Sequence, residues 1–181
     1  PPRQIDGHGL VDYGFVGDIV SVDINVLERL LKDRFVPIMS PLSANDEGEV
    51  LNINADIVAA RLAKEVKAEK LILVTSVPGI LKDVRDPESL VSYTDVRGLK
   101  DLEDTGAIAG GMLPKVASIK DALYGGVARV HVIPSRVKDS LLQEVFTNEG
   151  RGTLVVQDTK ELRREETVAT RCDQILKGGP A

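Results

Sequence analysis

Apolar residues along this chain fall into short continuous runs separated by longer amphipathic stretches. A run of four to six apolar residues suits a strand that is covered on both faces, and such runs lie at 36–39, 71–75, 129–133 and 153–156. Apolar residues at helical spacing predict helices at 25–32, 55–66, 114–124 and 140–146. Buried strands that alternate with helices predict an α/β three-layer sandwich with a mostly parallel central sheet.

The two ends of the chain differ from this pattern. Glycines at 7, 9, 14 and 17 punctuate short alternating segments, including residues 10–13 and 19–22, which predicts one or two β-hairpins over residues 1–23. The α/β domain is expected to span residues 24–157. Residues 158–181 are highly charged and are expected to form a surface helix or a tail.

The composition of the chain argues against some classes of binding partner. The 181 residues carry a formal net charge of −5, and only 3% are aromatic. A negative surface with few stacking platforms argues against nucleic acid and anionic membranes as partners. The single Cys172 allows no internal disulfide, and no apolar run approaches the roughly 20 residues that span a bilayer, so a cytoplasmic protein is expected.

The best candidate for phosphate binding is a Gly-Gly turn, Gly110–Gly111, that leads into the predicted helix at Pro114 and Lys115. The P-loop and dinucleotide-binding glycine patterns do not occur in the sequence. Paired glycines allow close approach of backbone to a ligand, and a helix N-terminus favours anions. An ordinary turn before a helix is the competing interpretation.

Asn52, Asn54 and Asp56 form a second candidate at a strand-to-helix junction. Alternate positions of an extended segment point to one side, and ligands of open parallel sheets bind beyond the carboxyl ends of the strands. Asn and Asp are also good helix N-caps, so capping alone is the competing interpretation.

A third candidate is the Pro-Gly turn that follows the strand at 71–75. Residues 76–81 leave the strand at the end where a nucleotide would bind. An ordinary type I or type II turn would have the same composition.

In order and spacing, these segments resemble the amino acid kinase family, in particular the C-terminal portion of its acetylglutamate kinase branch. The resemblance covers about residues 8–157 and depends on residues 11–19, 52–56, 75–81, 110–115, 130–133 and 149–153. It implies the amino acid kinase (carbamate kinase-like) fold with the N-terminal lobe largely missing. It also implies ATP- and Mg²⁺-dependent phosphorylation of the γ-carboxylate of N-acetyl-L-glutamate in arginine biosynthesis, by a homo-oligomer.

The resemblance implies a role for each candidate. Lys115 would stabilise the transferring phosphoryl group, Asp56 would orient catalytic lysines, and Asn52 and Asn54 would bind the substrate. ATP would be contacted by Ser76, Val77, Pro78, Gly79, Ile80, Leu81, Ala107, Ile108, Ala109, Gly110 and Gly111. His131, Glu144 and Gly150 match a site for the effector L-arginine, although Glu144 can also be read as an ordinary exposed carboxylate.

This sequence departs from the family pattern at two positions in the nucleotide site. Ser76 stands where the family usually has Asp, and Ala109 stands where it usually has Thr or Ser. We expect the loss of a carboxylate and a hydroxyl to weaken ATP binding.

The sequence also predicts whether the isolated chain is active, and it leaves two alternative functions open. The family's glycine-rich phosphate loop, second catalytic lysine and substrate-binding Arg have no counterpart in this chain, so the isolated chain is expected to be inactive and to be a piece of a working kinase. The alternatives are a catalytically silent arginine-sensing module and a kinase of a related substrate such as N-acetyl-aminoadipate.

Overall fold

A computed structural model describes residues 3–5, 9–147 and 150–158. The chain divides into two compact units, Pro1–Lys67 (unit 1) and Ala68–Ala181 (unit 2). The predicted domain limits at residues 23 and 157 follow composition and resemblance, and they stay a prediction. The predicted charged tail lies outside the described residues from position 159 onward, as does Cys172. None of the helices in the described ranges has the length and apolar character needed to cross a membrane.

Unit 1 contains two antiparallel hairpins and two helices. The hairpins pair β1 with β2 and β3 with β4. A single parallel bridge joins Val16 to Asn52, at the end of β4. The elements are β1 (Arg3–Ile5), β2 (Gly9–Val11), α1 (Asn25–Lys32), β3 (Leu42–Ala44), β4 (Val50–Asn52) and α2 (Ala55–Glu65).

Two strand predictions in this unit are wrong. The segment 36–39 is not a strand, and its Val36 and Ile38 are 86% and 95% exposed. Pro37 cannot donate a hydrogen bond to a ladder, and within the described residues no neighbouring strand covers this run. The segment 19–22 is not a strand either, so within the described residues the hairpin expected near the start consists of the paired segments 3–5 and 9–11.

Unit 2 is built on one four-stranded sheet with the strand order β5-β7-β8-β6. β5 pairs parallel with β7, β6 pairs parallel with β8, and β7 pairs antiparallel with β8. The elements are β5 (Lys70–Thr75), a 3₁₀ turn (Pro87–Ser89), β6 (Tyr93–Asp95), α3 (Val96–Asp104), α4 (Met112–Tyr124), β7 (Arg129–Pro134), α5 (Ser140–Phe146) and β8 (Thr153–Val156).

The core of unit 2 lies between this sheet and its helices. Strand residues such as Val130 and Val132 are fully buried, as are Val116, Ile119 and Leu123 on α4. The continuous apolar runs of the sheet therefore correspond to covered strands, as the sequence predicted. The α/β class with a mostly parallel sheet is confirmed, with the antiparallel β7–β8 pair as the exception.

Helix α4 carries the Gly-Gly turn at its start. It begins at Met112, two residues earlier than predicted, so Pro114 is the third helical residue. Proline is tolerated there because the amides of the first turn have no partner within the helix. Gly125 ends the helix, as the sequence predicted.

Candidate functional site

A cavity of about 360 Å³ opens at the carboxyl end of β5, within unit 2. Its wall consists of residues 76–81 after β5 (the β5 loop), the segment before α4 and the first turn of α4. Most of the predicted ATP contacts line it together with the predicted catalytic lysine: Ser76, Val77, Gly79, Ile80, Leu81, Ala107, Ile108, Ala109, Gly111 and Lys115. The structure thus collects at one place residues that are up to about 40 positions apart in sequence.

The lining also differs from the prediction. Pro78 and Gly110 are not among the lining residues, whereas Thr75, Val84 and Met112 are. Thr75 ends β5, and a residue at the carboxyl end of a strand could have been suspected from the rule that ligands bind there. Val84 lies in an acidic loop, and nothing in its neighbourhood in the sequence marked it.

The turn before α4 has the geometry of an anion site. Gly110 has φ +54°, a left-handed conformation that favours glycine, and an added Cβ at Gly110 or Gly111 would meet open space. Gly111 is the N-cap residue, and no side chain caps the helix. The positive end of the helix dipole and the residue Lys115, in the first turn, therefore lie at the same cavity.

Helix capping explains one residue of the second candidate site, which is formed by Asn52, Asn54 and Asp56 in unit 1. Asn54 is the N-cap of α2, and its Oδ1 accepts hydrogen bonds from the backbone N–H groups of Asp56, at 2.9 Å, and Ile57, at 3.4 Å. Asp56 lies in the first turn of the helix, so the predicted alternation along an extended segment is wrong for this residue. Asn52 ends β4 with an exposed side chain.

Backbone hydrogen bonds hold Asn52 in place. Its N–H donates to the carbonyl of Phe15 at 2.7 Å, and its carbonyl accepts from the N–H of Gly17 at 3.0 Å. A Cβ at Gly17 would lie 2.8 Å from Cδ1 of Leu51, so glycine allows this close approach. The predicted pairing of Asp56 with Lys115 joins residues of different units, and it stays a prediction.

A second cluster lies in unit 2, where His131 of β7 meets Glu144 of α5. Nδ1 of His131 and Oε1 of Glu144 are 2.6 Å apart, and the two side chains are only 8% and 5% exposed. The backbone N–H of Arg151 donates to Oε2 of Glu144 at 3.2 Å, and a Cβ at Gly150 would lie 3.1 Å from the same oxygen. The structure therefore brings His131, Glu144 and Gly150 together, and the reading of Glu144 as an exposed carboxylate is wrong.

The carboxyl group of Glu144 is ionised at neutral pH. Burial raises the pKa of Glu144, but the hydrogen bond and charge of His131, the N–H of Arg151 and the charge of Lys70 outweigh it. The net pKa of Glu144 lies below its ordinary value of 4.5. Within the described residues, Nε2 of His131 has no hydrogen-bond partner. The cluster thus presents a buried negative charge beside an unused ring nitrogen.

Comparison with known proteins identifies the family of this chain. The model of the amino acid kinase family matches residues 1–134, so the chain belongs to the amino acid kinase family. The resemblance predicted from the sequence is therefore confirmed.

Curated relatives narrow the similarity further. The chain is 51% identical over 166 residues to an acetylglutamate kinase of Myxococcus xanthus, covering 89% of this chain and 54% of that protein. It is 44% identical to an acetylglutamate kinase of Heliobacterium modesticaldum, over 81% of this chain and 50% of that protein. The chain thus spans about half the length of the curated relatives it matches.

Solved structures agree on the fold. N-acetylglutamate synthase from Neisseria gonorrhoeae, complexed with coenzyme A and L-arginine, matches with a TM-score of 0.75 and 29% identity over 87% of this chain and 36% of that one. Carbamate kinase from Giardia lamblia bound to AMP-PNP matches with a TM-score of 0.62 and 21% identity over 87% of this chain and 52% of that one. At this low identity, the second match supports the fold alone.

Proposed function

We propose that this chain supplies the ATP-binding part of a kinase that phosphorylates the γ-carboxylate of N-acetyl-L-glutamate, a step of arginine biosynthesis. The observation that carries the proposal is the cavity at the end of β5, which places Lys115 and an uncapped helix N-terminus beside the β5 loop. Similarity to proteins named acetylglutamate kinase supports the choice of substrate.

The cavity suits a nucleotide in size and chemistry. A volume of about 360 Å³ falls within the range of small-molecule sites. The β5 loop and residues 107–109 would hold the nucleoside, and the Gly-Gly turn and Lys115 would hold the phosphates. Phosphoryl transfer depends on positioning and charge neutralisation more than on covalent chemistry, and a lysine at a helix N-terminus supplies both.

The described residues do not offer a protein cage for Mg²⁺. They contain no group of three or more His, Cys, Asp or Glu side chains that could hold a metal ion. Mg²⁺ commonly keeps several water ligands and binds through substrate phosphates with one or two carboxylates. We therefore propose that Mg²⁺ enters with the nucleotide, where it neutralises phosphate charge.

For the acceptor, Asn52 is a better candidate than Asn54. The Oδ1 of Asn54 already serves the helix, which leaves only its Nδ2 group for a ligand. The side chain of Asn52 is exposed, and its backbone is fixed by two hydrogen bonds. An amide side chain on this fixed backbone can donate to a substrate carboxylate and accept from an acetamido N–H.

The first prediction concerns nucleotide binding by the chain itself. We expect calorimetry with the non-hydrolysable analogue AMP-PNP to give a Kd below about 1 mM, a value within the usual range for enzyme substrates. An Ala109→Ser variant should bind several times more tightly, because it restores a hydroxyl at the phosphate end of the cavity, and one hydrogen bond contributes about 1 kcal/mol.

The matched control is Ala128→Ser, which adds the same hydroxyl at an exposed position outside the cavity and should leave the Kd unchanged. No heat of binding at millimolar AMP-PNP, in a chain that circular dichroism finds folded, would contradict the proposed nucleotide site.

We also propose a second function, binding of L-arginine at His131, Glu144 and Gly150. The observation that favours it is the buried ionised Glu144 next to an Nε2 atom without a partner. When Nδ1–H of a neutral His131 donates to Glu144, Nε2 is an acceptor and suits an N–H donor of arginine. An entering guanidinium must displace a bond that the carboxylate now makes to His131 or Arg151.

Calorimetry with L-arginine tests the second function. We expect saturable binding by the wild-type chain and a loss of roughly tenfold or more in Glu144→Gln, because hydrogen bonds to charged groups contribute about 1.5–3 kcal/mol. Glu88→Gln removes an exposed carboxylate and should bind arginine like the wild type. Absence of binding at millimolar arginine would exclude this function.

A further inference from the structure

Thr153 carries a hydroxyl at a position where valine would suit the sheet. It is the first residue of β8, it is fully buried, and it lies opposite Val132 of β7. Valine fits a strand interior at least as well as threonine, and a buried hydroxyl costs free energy unless it is hydrogen-bonded. A hydrogen bond must therefore explain why threonine suits this position.

That bond reaches the β5 loop. Oγ1 of Thr153 accepts from the backbone N–H of Ile80 at 2.9 Å, and the two residues are 73 positions apart in sequence. Ile80 lines the nucleotide cavity and is itself buried. Its carbonyl accepts from the N–H of Val91 at 2.9 Å, so the loop is held through both backbone groups of one residue.

Glycine at position 79 permits this contact. A Cβ there would lie 2.7 Å from Oγ1 of Thr153 and 2.8 Å from Cδ1 of Leu90. Thr153 could not easily move, because it has no exposed surface and also approaches the added Cβ with its backbone nitrogen, at 3.3 Å. The loop therefore lies directly against the start of β8, and the position of Thr153 sets how far the loop extends into the cavity.

We propose that Thr153 is a positioning residue for nucleotide binding, acting through the N–H of Ile80. The inference rests on the proposed nucleotide site. Thr153 does not line the cavity, so its hydroxyl acts by holding the loop in its binding conformation before the nucleotide arrives. Preorganisation of this kind raises affinity because the loop need not be ordered during binding.

The test uses the whole chain and two readouts. Hydrogen exchange followed by NMR gives the exchange rate of the Ile80 amide relative to the Val132 amide, a ratio that compares local opening of the loop with opening of the sheet. Calorimetry gives the Kd for AMP-PNP. We expect Thr153→Val, which keeps shape and removes the acceptor, to raise the exchange ratio about tenfold and to weaken AMP-PNP binding about tenfold, as for one lost hydrogen bond.

Three further variants separate positioning from general stability. Thr153→Ser keeps the acceptor and should behave like the wild type in both readouts. Gly79→Ala, which pushes the loop away from an intact Thr153, should raise the exchange ratio as Thr153→Val does. Ser140→Ala removes another buried hydroxyl, which donates to the carbonyl of Pro134, and should lower stability without raising the exchange ratio.

The outcomes distinguish failure of the positioning role from failure of the proposed nucleotide site on which it rests. If Thr153→Val leaves the exchange ratio or the Kd as in the wild type, the positioning role is overturned while the nucleotide site stands. If the wild-type chain binds no AMP-PNP, the proposed function fails and the inference fails with it, whatever the exchange ratio.

Discussion

A Gly152→Ala chain is expected to be strongly destabilised in unit 2. A Cβ at this position would lie 2.0 Å from the carbonyl oxygen of Val132, 2.9 Å from its carbonyl carbon and 3.0 Å from Cα of Ile133. All three atoms are backbone of the buried strand β7, so no side-chain rotation relieves the overlap. We expect a loss of about 3 kcal/mol or more in the free energy of unfolding, measured by urea titration with circular dichroism.

Gly111→Ala provides the matched control. Gly111 has φ −65°, and open space surrounds its added Cβ, so alanine should change the free energy of unfolding by less than about 1 kcal/mol. A Gly152→Ala chain as stable as Gly111→Ala would mean that β8 does not pair with β7 in the register described.

The second large effect is expected for Lys115→Ala, in nucleotide affinity. Lys115 lines the cavity in the first turn of α4, where its charge adds to the helix dipole. Charge-assisted hydrogen bonds to phosphate contribute about 1.5–3 kcal/mol, so the Kd for AMP-PNP should rise roughly 10- to 150-fold. The effect on adenosine, which has no phosphates, should be small.

The comparison of two ligands makes this test specific. Lys100→Ala removes an exposed lysine of the neighbouring helix α3 and should leave both affinities unchanged. Equal losses for AMP-PNP and adenosine in Lys115→Ala would indicate that the lysine supports the shape of the cavity and does not bind phosphate.

The sequence predicted most accurately the helices and strands whose own residues carry a clear apolar pattern. Helices α1 and α5 and strand β8 begin and end where the apolar pattern placed them. The strands β5 and β7 were each one residue longer than predicted at one end. In these segments local propensity and the apolar pattern favour the same structure, so the pattern alone was sufficient.

The elements that the pattern missed depend on neighbours. Residues 36–39 have the composition of a buried strand, but a strand requires hydrogen-bonded partners, which no local pattern reveals. The short strands β3 and β6 have three residues each, too few to show a period. Helix α3 is capped by Asp95 and buries only Leu99 fully, so its apolar stripe was weak.

The candidate site was predictable for a different reason. Gly111 and Lys115 stand out because glycine and lysine at a turn before a helix suggest phosphate chemistry, and Gly79 stands out in a Pro-Gly turn after a strand. The hydrogen bond that holds the β5 loop was not predictable, because in the sequence Thr153 resembles any strand residue. Only the structure shows that it accepts a hydrogen bond from Ile80. The resemblance supplied His131, Glu144 and Gly150, and only the three-dimensional structure revealed that Glu144 is buried.

Strand β8 also determines when unit 2 can be completed during synthesis. It lies between β7 and β6, and within the described residues β6 has its ladder with β8 alone. A ribosome that has released the chain only as far as Arg151 would leave β5 and β7 paired and β6 without a neighbour. Because contacts between distant segments slow folding, the four residues of β8 should govern how quickly the newly made chain buries its core.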